Sequence, residues 1–280
     1  MTEGLDRLRA DVVQACRELA GSGLVIGTAG NVSARAGDLV LVTPSGARLA
    51  ALTADDLAVV DLDGALIDGP LPPTSELPLH LAVYRSFDAG AVVHTHPPMA
   101  TAVACVADEL PCIHYTLLSL GGSVRVAPYV TFGTAELAAG VVEALQGRSA
   151  ALMGGHGAVT HGADVAAAMA ATQLLEWACG VYVHACACGT PRVLDEEERL
   201  AVAEALATYG AAAPTRSSAP APTPPPARAR AQPPAAARAQ PPAAARAQPP
   251  AVARSQPPAP AAPPATAVRI DPPLRLDPLP

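Results

Sequence analysis

An α/β domain organised on one core, followed by a tail unable to build one, is what the amino-acid sequence predicts. Three observations lead there. Short apolar, β-branched runs at 39–42, 59–61, 92–96 and 150–153 alternate with segments of helical period. About 210 residues precede a sharp change of composition, enough for a single substantial core. Most of the chain's 31 prolines lie beyond Ala213.

The first element is an amphipathic helix. Leu5, Leu8, Val12, Val13, Cys16 and Leu19 recur at helical spacing, and Gly21 and Gly23 stop it. Gly27-Thr28-Ala29-Gly30-Asn31-Val32-Ser33 follows. Its glycines let backbone N–H groups approach an anion, and Thr28, Asn31 and Ser33 add side-chain donors. It lacks both the Walker A and the dinucleotide spacing, and it reads equally as a tight helix-to-strand connection. Strand 39–42 runs into Thr43-Pro44-Ser45-Gly46, a turn that is either structural or a second side of the same anion pocket. Residues 59–61 and 65–67 flank Leu62-Asp63-Gly64 as a hairpin. Thr74-Ser75-Glu76 then opens a helix, with Ser75 as its expected N-cap and Pro78 tolerated in the first turn. Glu76 falls at the positive end of that helix, which favours its carboxylate. His80, four residues on, shares its face and is assigned to packing or support.

Ala91-Val92-Val93-His94-Thr95-His96 is the stretch with most chemistry in it. Side chains two apart on a strand share a face, with Cα atoms roughly 6.5–7 Å apart, so two imidazoles can meet on one cation. Pro97-Pro98 end the strand and open a loop. A buried strand with two hydrogen-bonded histidines is the alternative. A short helix over 97–107 and strands at 113–115 and 124–129 follow, and Thr134 is placed to cap a helix starting at Ala135. Strand 150–153 leads into Gly154-Gly155-His156-Gly157, where three glycines clear space around one imidazole. His161 has no such setting. A long alanine-rich helix spans 164–187, and Asp195 with Glu198 forms a capping-box variant for a last helix ending at Tyr209-Gly210.

From residue 211 to 280 the chain repeats an eight-residue unit close to QPPAAARA, with Gln-Pro-Pro at 232, 240, 248 and 256. Pro-Pro at that interval blocks a continuous helix and little is available to bury, so a disordered, partly polyproline-II tail rich in Pro, Ala and Arg is expected. It is given no catalytic role; a spacer or a segment for an unknown partner stays open.

Composition narrows the chemistry. All 18 basic residues are arginine. A Schiff base needs a lysine amine, so imine-based aldol or pyridoxal chemistry is excluded, and carbonyl chemistry requires another electrophile such as a metal ion. Up to residue 210, ten arginines meet 23 acidic residues, a net of −13; beyond it, eight meet two, a net of +6. The acidic body argues against nucleic acid, and the basic tail has no aromatics to stack on bases. Six cysteines show no disulfide framework, Met1–Asp6 has neither a basic nor an apolar leader character, and no apolar run suits a membrane span. A soluble, cytoplasmic protein with no membrane partner is expected.

One carboxylate and three imidazoles, Glu76, His94, His96 and His156, form a donor set suited to Zn²⁺ or another borderline divalent ion. The 27–31 loop, the 43–46 turn and Thr74-Ser75 are placed to build an anion pocket beside Glu76. These pieces have a joint pattern. GTAGNVS (27–33), TPSG (43–46), TSE (74–76), VVHTH (92–96), IHY (113–115), APYVTFGT (127–134), HG (156–157) and TYG (208–210), in this order and spacing, resemble the class II aldolase/adducin family over residues 5–210. The resemblance implies a three-layer α/β/α fold around a central, mainly antiparallel sheet and a homotetramer with sites near subunit interfaces. It implies a metal shell of Glu76, His94, His96 and His156, and a phosphate pocket of Thr28, Gly30, Asn31, Ser45, Gly46, Thr74 and Ser75. It also implies aromatics at the aldehyde end: Tyr115, Phe132 and Tyr209. The expected reaction is metal-dependent cleavage of a ketose 1-phosphate to dihydroxyacetone phosphate and a short aldehyde, with Glu76 as metal ligand and acid/base and Tyr115 exchanging the alcohol proton. A glutamate at 76, where the 4-epimerase branch carries aspartate, favours aldolase. A pentulose-phosphate 4-epimerase, a methylthioribulose-phosphate dehydratase and a non-catalytic adducin-like module are the alternatives. The tail has no counterpart in the resemblance.

Overall fold

The structure, a computed structural model, describes residues 2–212. Along the chain it contains α1 (Thr2–Gly21), β1 (Asn31–Ala36), β2 (Leu39–Val42), β3 (Ala58–Asp61), β4 (Leu66–Asp68), α2 (Leu77–Ser86), β5 (Ala91–Thr95) and α3 (Pro98–Ala104). There follow β6 (Glu109–Leu110), β7 (Val124–Ala127), α4 (Ala135–Ala144), β8 (Ala150–Met153), β9 (Gly157–Gly162), α5 (Val165–Cys188) and α6 (Glu196–Ala212). Nine strands form one sheet in the order β4-β3-β2-β1-β5-β9-β8-β7-β6. Every pairing is antiparallel except β7 with β8.

Strand alternation sorts the core into two sides. Val32, Ala34, Leu41, Val59, Ala91 and Val93 pack with α1 and the start of α5. Ala150, Leu152 and Ala158 pack with α3 and the middle of α5 on the same side, farther along the sheet. Their neighbours in sequence, Val40, Val60, Val92, Ala151, Met153 and Val159, pack with α2 and α4 on the other side. The result is the expected α/β/α sandwich on a mainly antiparallel sheet.

Three of the helix starts follow side-chain caps, those of α4, α5 and α6. Thr134 Oγ1 accepts the Leu137 N–H at 3.2 Å, and Asp164 Oδ1 accepts that of Ala167 at 2.8 Å. Asp195 and Glu198 bond each other's backbone N–H groups at 2.8 and 3.1 Å.

Several expectations differ from the structure. Ser75 is not the N-cap of α2: Glu76 is the residue before its first turn, and Thr74 Oγ1 accepts the Glu76 N–H at 3.3 Å. No strand forms at 113–115. His114 Nδ1 accepts the Thr116 N–H at 3.3 Å and tips the chain into a 3₁₀ turn over Tyr115–Leu120. Strand β9, which carries His161, was not anticipated, because Gly157, Gly162 and a lone histidine weaken its β pattern. Helix α6 runs to Ala212, two residues beyond Gly210. Apart from those two residues, the expected tail lies outside the described residues. Among the described residues, no helix is long and apolar enough to cross a membrane.

Candidate functional site

The site grows from three element ends that the topology brings together. In β5, His94 lies on the same face as Val92, toward α2, and is fully buried. Its Nδ1–H donates to the Ala158 carbonyl of β9 at 2.9 Å, which leaves the Nε2 lone pair free. His96 stands just past the end of β5, and its Nε2 lies 2.9 Å from that of His94. His156 sits in the turn between β8 and β9, held by its N–H to the Met153 carbonyl at 3.1 Å. Gly157 next to it is required: a Cβ there would stand 2.3 Å from the Thr95 carbonyl oxygen, so any side chain would push the turn off the end of β5. The three rings pack edge-on, with centroids 4.8 to 4.9 Å apart.

Glu76 enters from the start of α2. Its Oε2 lies 3.0 Å from His94 Nε2, and its Oε1 lies 3.4 Å from His156 Nε2. One ligand atom from each of Glu76, His94, His96 and His156 falls within 4.8 Å of all the others. A tetrahedral ion with bonds of 2.0–2.1 Å separates its ligands by about 3.3 Å, so this cluster fits one. Two further observations favour an ion. Glu76 Oε1 is buried with no hydrogen-bond partner, a condition that is costly unless a cation meets it. The Nε2 atoms of His94 and His96 also approach to 2.9 Å, and a cation held by both lone pairs would take the place of the single proton that can lie between them.

Ionisation suits the same purpose. Burial works against the Glu76 charge, but the neighbouring His94, the Asn31 amide and His156 outweigh it and bring the carboxyl down to about 2. Burial, then the adjoining His94 and His156 rings, push His96 down to about 4. His156 moves down for the same reasons, burial first and His94 second. A carboxylate at Glu76 with neutral rings at His96 and His156 is the protonation state that cation ligands need.

Glu76, His96 and His156 line a cavity of about 450 Å³, while His94 is fully buried and does not. All seven residues expected at the anion end line it: Thr28, Gly30, Asn31, Ser45, Gly46, Thr74 and Ser75. The turn at 43–46 reaches the start of α2 through Thr74 N–H to Thr43 O at 3.1 Å and Ser45 N–H to Pro72 O at 3.0 Å. Gly30 adopts φ +92°, and a Cβ there would meet Val25 Cγ1 at 2.7 Å, so the 27–31 loop depends on its glycine. Ser33, grouped with the anion donors on sequence, points elsewhere: it is fully buried against His80 and Tyr84. The Asn31 amide is largely committed, to Glu76 at 2.9 Å and to His80, with one Nδ2 hydrogen left over.

Phe132 lines the same cavity together with Tyr129 and Val130. The last two were not singled out on sequence, although they lie in the same 127–134 run. Tyr115 is not brought in: its half-exposed ring tilts against His114, and it does not line the cavity of its own chain. Tyr209 falls within α6, and its side chain lies outside the described residues. A larger groove of about 1180 Å³ runs between α1 and the start of α5, lined by Leu5, Leu8, Val165 and Met169. It contains none of the converging donor atoms, so the chemistry belongs to the smaller cavity.

Fold and site together define an α/β/α scaffold with a Glu/His cluster able to hold a metal ion, and comparison with known proteins places the family. Residues 10–183 match the class II aldolase and adducin N-terminal domain model. A 5-methylthioribulose-1-phosphate/5-deoxyribulose-1-phosphate aldolase of Rhodospirillum rubrum is 38% identical over 205 residues, 72% of this chain and 92% of that one. An L-fuculose phosphate aldolase of Escherichia coli K12 is 38% identical over 208 residues, 73% of this chain and 96% of that one. A solved L-fuculose 1-phosphate aldolase superposes with a TM-score of 0.69 at 32% identity, covering 72% of this chain and 96% of its own. This chain belongs to the class II aldolase and adducin family.

Proposed function

We propose that this protein is a zinc-dependent class II aldolase that cleaves a ketose 1-phosphate resembling L-fuculose 1-phosphate into dihydroxyacetone phosphate and a short aldehyde. The observation that carries the reading is the convergence of Glu76, His94, His96 and His156 beside a cradle of hydroxyl and backbone groups in one cavity. In this reading the cradle takes the substrate phosphate. Among the described residues no arginine lines the cavity, and the chain has no lysine. The anion is therefore held by N–H and O–H donors and by the positive end of α2 at Thr74–Glu76.

Retro-aldol cleavage leaves the ketone fragment with enediolate charge. The ion supplies Lewis acidity for that charge when bound at the four side chains. Glu76 carries the proton to and from the carbon of the ketone fragment, which its buried, low-pKa carboxylate can do only with a substrate carbon held against it. The phosphate cradle provides that positioning with binding energy from a part of the substrate that does not react. Phe132, Tyr129 and Val130 shield the aldehyde end. Tyr115 is assigned the alcohol proton. Since it stands outside the cavity of its own chain, this role requires a neighbouring copy, as in the homotetramer expected from the resemblance, and Tyr209 is assigned to the same end.

A second substrate reading has a specific support. The apolar Val130 and Phe132 suit a substrate ending in a methyl or methylthio group, as in 5-deoxy- or 5-methylthioribulose 1-phosphate, on which the Rhodospirillum relative is named to act. The test is aldol addition of dihydroxyacetone phosphate to a panel of short aldehydes, with and without chelator, combined with metal analysis. Stoichiometric zinc and chelator-sensitive product formation are expected, and the preferred aldehyde decides the substrate. Protein with no divalent ion and no chelator-sensitive activity would point to an interaction module instead.

A further inference from the structure

From Glu76 a continuous line of buried polar side chains runs between α2 and β1, beginning at Asn31 on the cavity wall and leading to His80, Ser33 and Tyr84, which do not line the cavity. Asn31 Nδ2 donates to Glu76 Oε2 at 2.9 Å. Asn31 Oδ1 meets His80 Nε2, His80 Nδ1 meets Ser33 Oγ at 2.6 Å, and Ser33 Oγ meets Tyr84 Oη at 2.7 Å. Ser33 and His80 are fully buried, Tyr84 is 3% exposed and Asn31 5% exposed. Polar groups at such depth are tolerated when each has its partner, and here each has.

The line has only one arrangement of protons. A carboxylate accepts, so the Asn31 amide nitrogen must face Glu76 and its carbonyl must face His80. That carbonyl also only accepts, so His80 carries its proton on Nε2. The neutral ring then accepts at Nδ1 from the Ser33 hydroxyl, and Ser33 Oγ accepts from the Tyr84 hydroxyl. If His80 lost its Nε2–H, the Asn31 carbonyl would lose its buried donor, and the Glu76 carboxylate alone would be left to hold the amide in this orientation.

We propose that Tyr84, Ser33, His80 and Asn31 form a one-way hydrogen-bond chain that positions Glu76, with His80 as the residue that fixes its direction. The chain pins Oε2 and leaves Oε1, the buried oxygen without a hydrogen-bond partner, as the one presented to the ion and the substrate. His80 touches neither; it acts through Asn31. This inference rests on the reading of Glu76 as metal ligand and proton carrier.

The test compares the full-length wild type with His80→Leu, His80→Gln and Ser33→Ala. The readouts are zinc affinity by competition with a chromophoric chelator, kcat and KM for the ketose 1-phosphate at saturating zinc, and Tm. His80→Leu should lower zinc affinity and kcat by about 10- to 100-fold, the range for removing the outer partner of a metal-bound group. KM should move much less, because the phosphate cradle is untouched. Glutamine offers an N–H to Asn31 and a carbonyl to Ser33, so His80→Gln should recover most of both losses. A lowered Tm with wild-type kcat and zinc affinity in His80→Leu would reduce the chain to packing and overturn the proposal. If His80→Leu does not fold, Ser33→Ala decides: it removes a single hydroxyl, and wild-type zinc affinity and kcat in that variant also overturn it. The underlying reading fails separately, by wild-type protein that neither binds zinc nor cleaves the substrate, and the positioning role falls with it.

Discussion

Replacing Glu76 by glutamine alters one atom of the carboxyl, and the structure dictates which. Glutamine has one oxygen and one NH₂. Placed at the Oε2 position, the NH₂ would confront the Asn31 amide, a donor against a donor at 2.9 Å. Placed at the Oε1 position it avoids that contact, so Glu76→Gln presents an amide nitrogen, with no usable lone pair, toward His156 and the proposed metal position. The variant loses one of four ligands and the only carboxylate of the cluster. Loss of a positioned acid/base group alone lowers rate by about 10²- to 10⁴-fold, and kcat should fall at least that far. KM should change little, because none of the cradle donors is touched. Steady-state release of dihydroxyacetone phosphate, measured with a coupled dehydrogenase at saturating zinc, gives both constants. Above pH 5 the metal-free variant should be less stable than wild type, since the fold holds the Glu76 carboxyl down at about 2 and so favours the charge that the amide lacks. Turnover within about tenfold of wild type, well short of the loss expected for an acid/base group, would refute the role of Glu76.

Further outcomes follow from the same geometry. Gly157→Ala sets a Cβ 2.3 Å from the Thr95 carbonyl oxygen and should cost about 1–3 kcal/mol of stability, seen in denaturant unfolding, together with most of the zinc affinity. Thr74→Val and Ser75→Ala each remove a donor lining the anion end; each should raise KM by about 10-fold or more, the worth of one hydrogen bond to a charged group, with a smaller effect on kcat. Acid should destabilise the metal-free protein. His80 is held down to about 3, first by burial, and His96 to about 4, so the unfolded chain binds protons that the folded one refuses. Stability contributed by these rings is full above pH 6.5 and is lost as pH falls below it, at about 1.4 kcal/mol per pH unit for each ring, until the folded values are reached. Urea titrations in chelator across pH 4–7 would show this slope, and a flat profile would contradict the neutral state of the two rings.

Legibility in the sequence depended on whether one element or two set a residue's role. His94 and His96 follow from the period of a single strand, and His156 from the glycines around it. Glu76 follows from its place before Pro78 in a helix start. Each needs only local geometry. The roles of Ser33 and Tyr84 need the packing of α2 on β1, which no spacing within either segment reveals, so Ser33 was grouped with the anion donors. Tyr115 sits in a 3₁₀ turn because the His114 ring accepts a backbone N–H two residues on, a local competition that a β-rich tripeptide conceals. Tyr129 and Val130 line the cavity through the path of an irregular loop, for which no periodicity exists.

The line behind Glu76 also explains how a helix and a strand can share a buried polar seam at all. In α2, Glu76, His80 and Tyr84 are four residues apart and advance about 6 Å per step. In β1, Asn31, Ser33 and Arg35 are two apart and advance about 6.7 Å per step. The two segments run in the same direction, for Asn31 meets Glu76, Ser33 meets His80 and Tyr84, and Arg35 reaches the Tyr84 carbonyl at 3.4 Å. The mismatch over two steps is then only about 1.4 Å, small enough for side chains to absorb. Register between β1 and β5 sets Asn31 opposite His94, so the seam ends at the metal cluster and nowhere else. A one-residue slip of β1 would turn Val32 and Ala34 toward α2 and send Asn31 and Ser33 into the apolar core under α1. The burial of Val32 and Ala34 beneath α1 therefore holds Asn31 in place beside Glu76. Enlarging Ala34 to leucine, on the face away from the site, should thus weaken zinc binding along with stability. Unchanged zinc affinity in a destabilised Ala34→Leu variant would show that strand and seam are not coupled in this way.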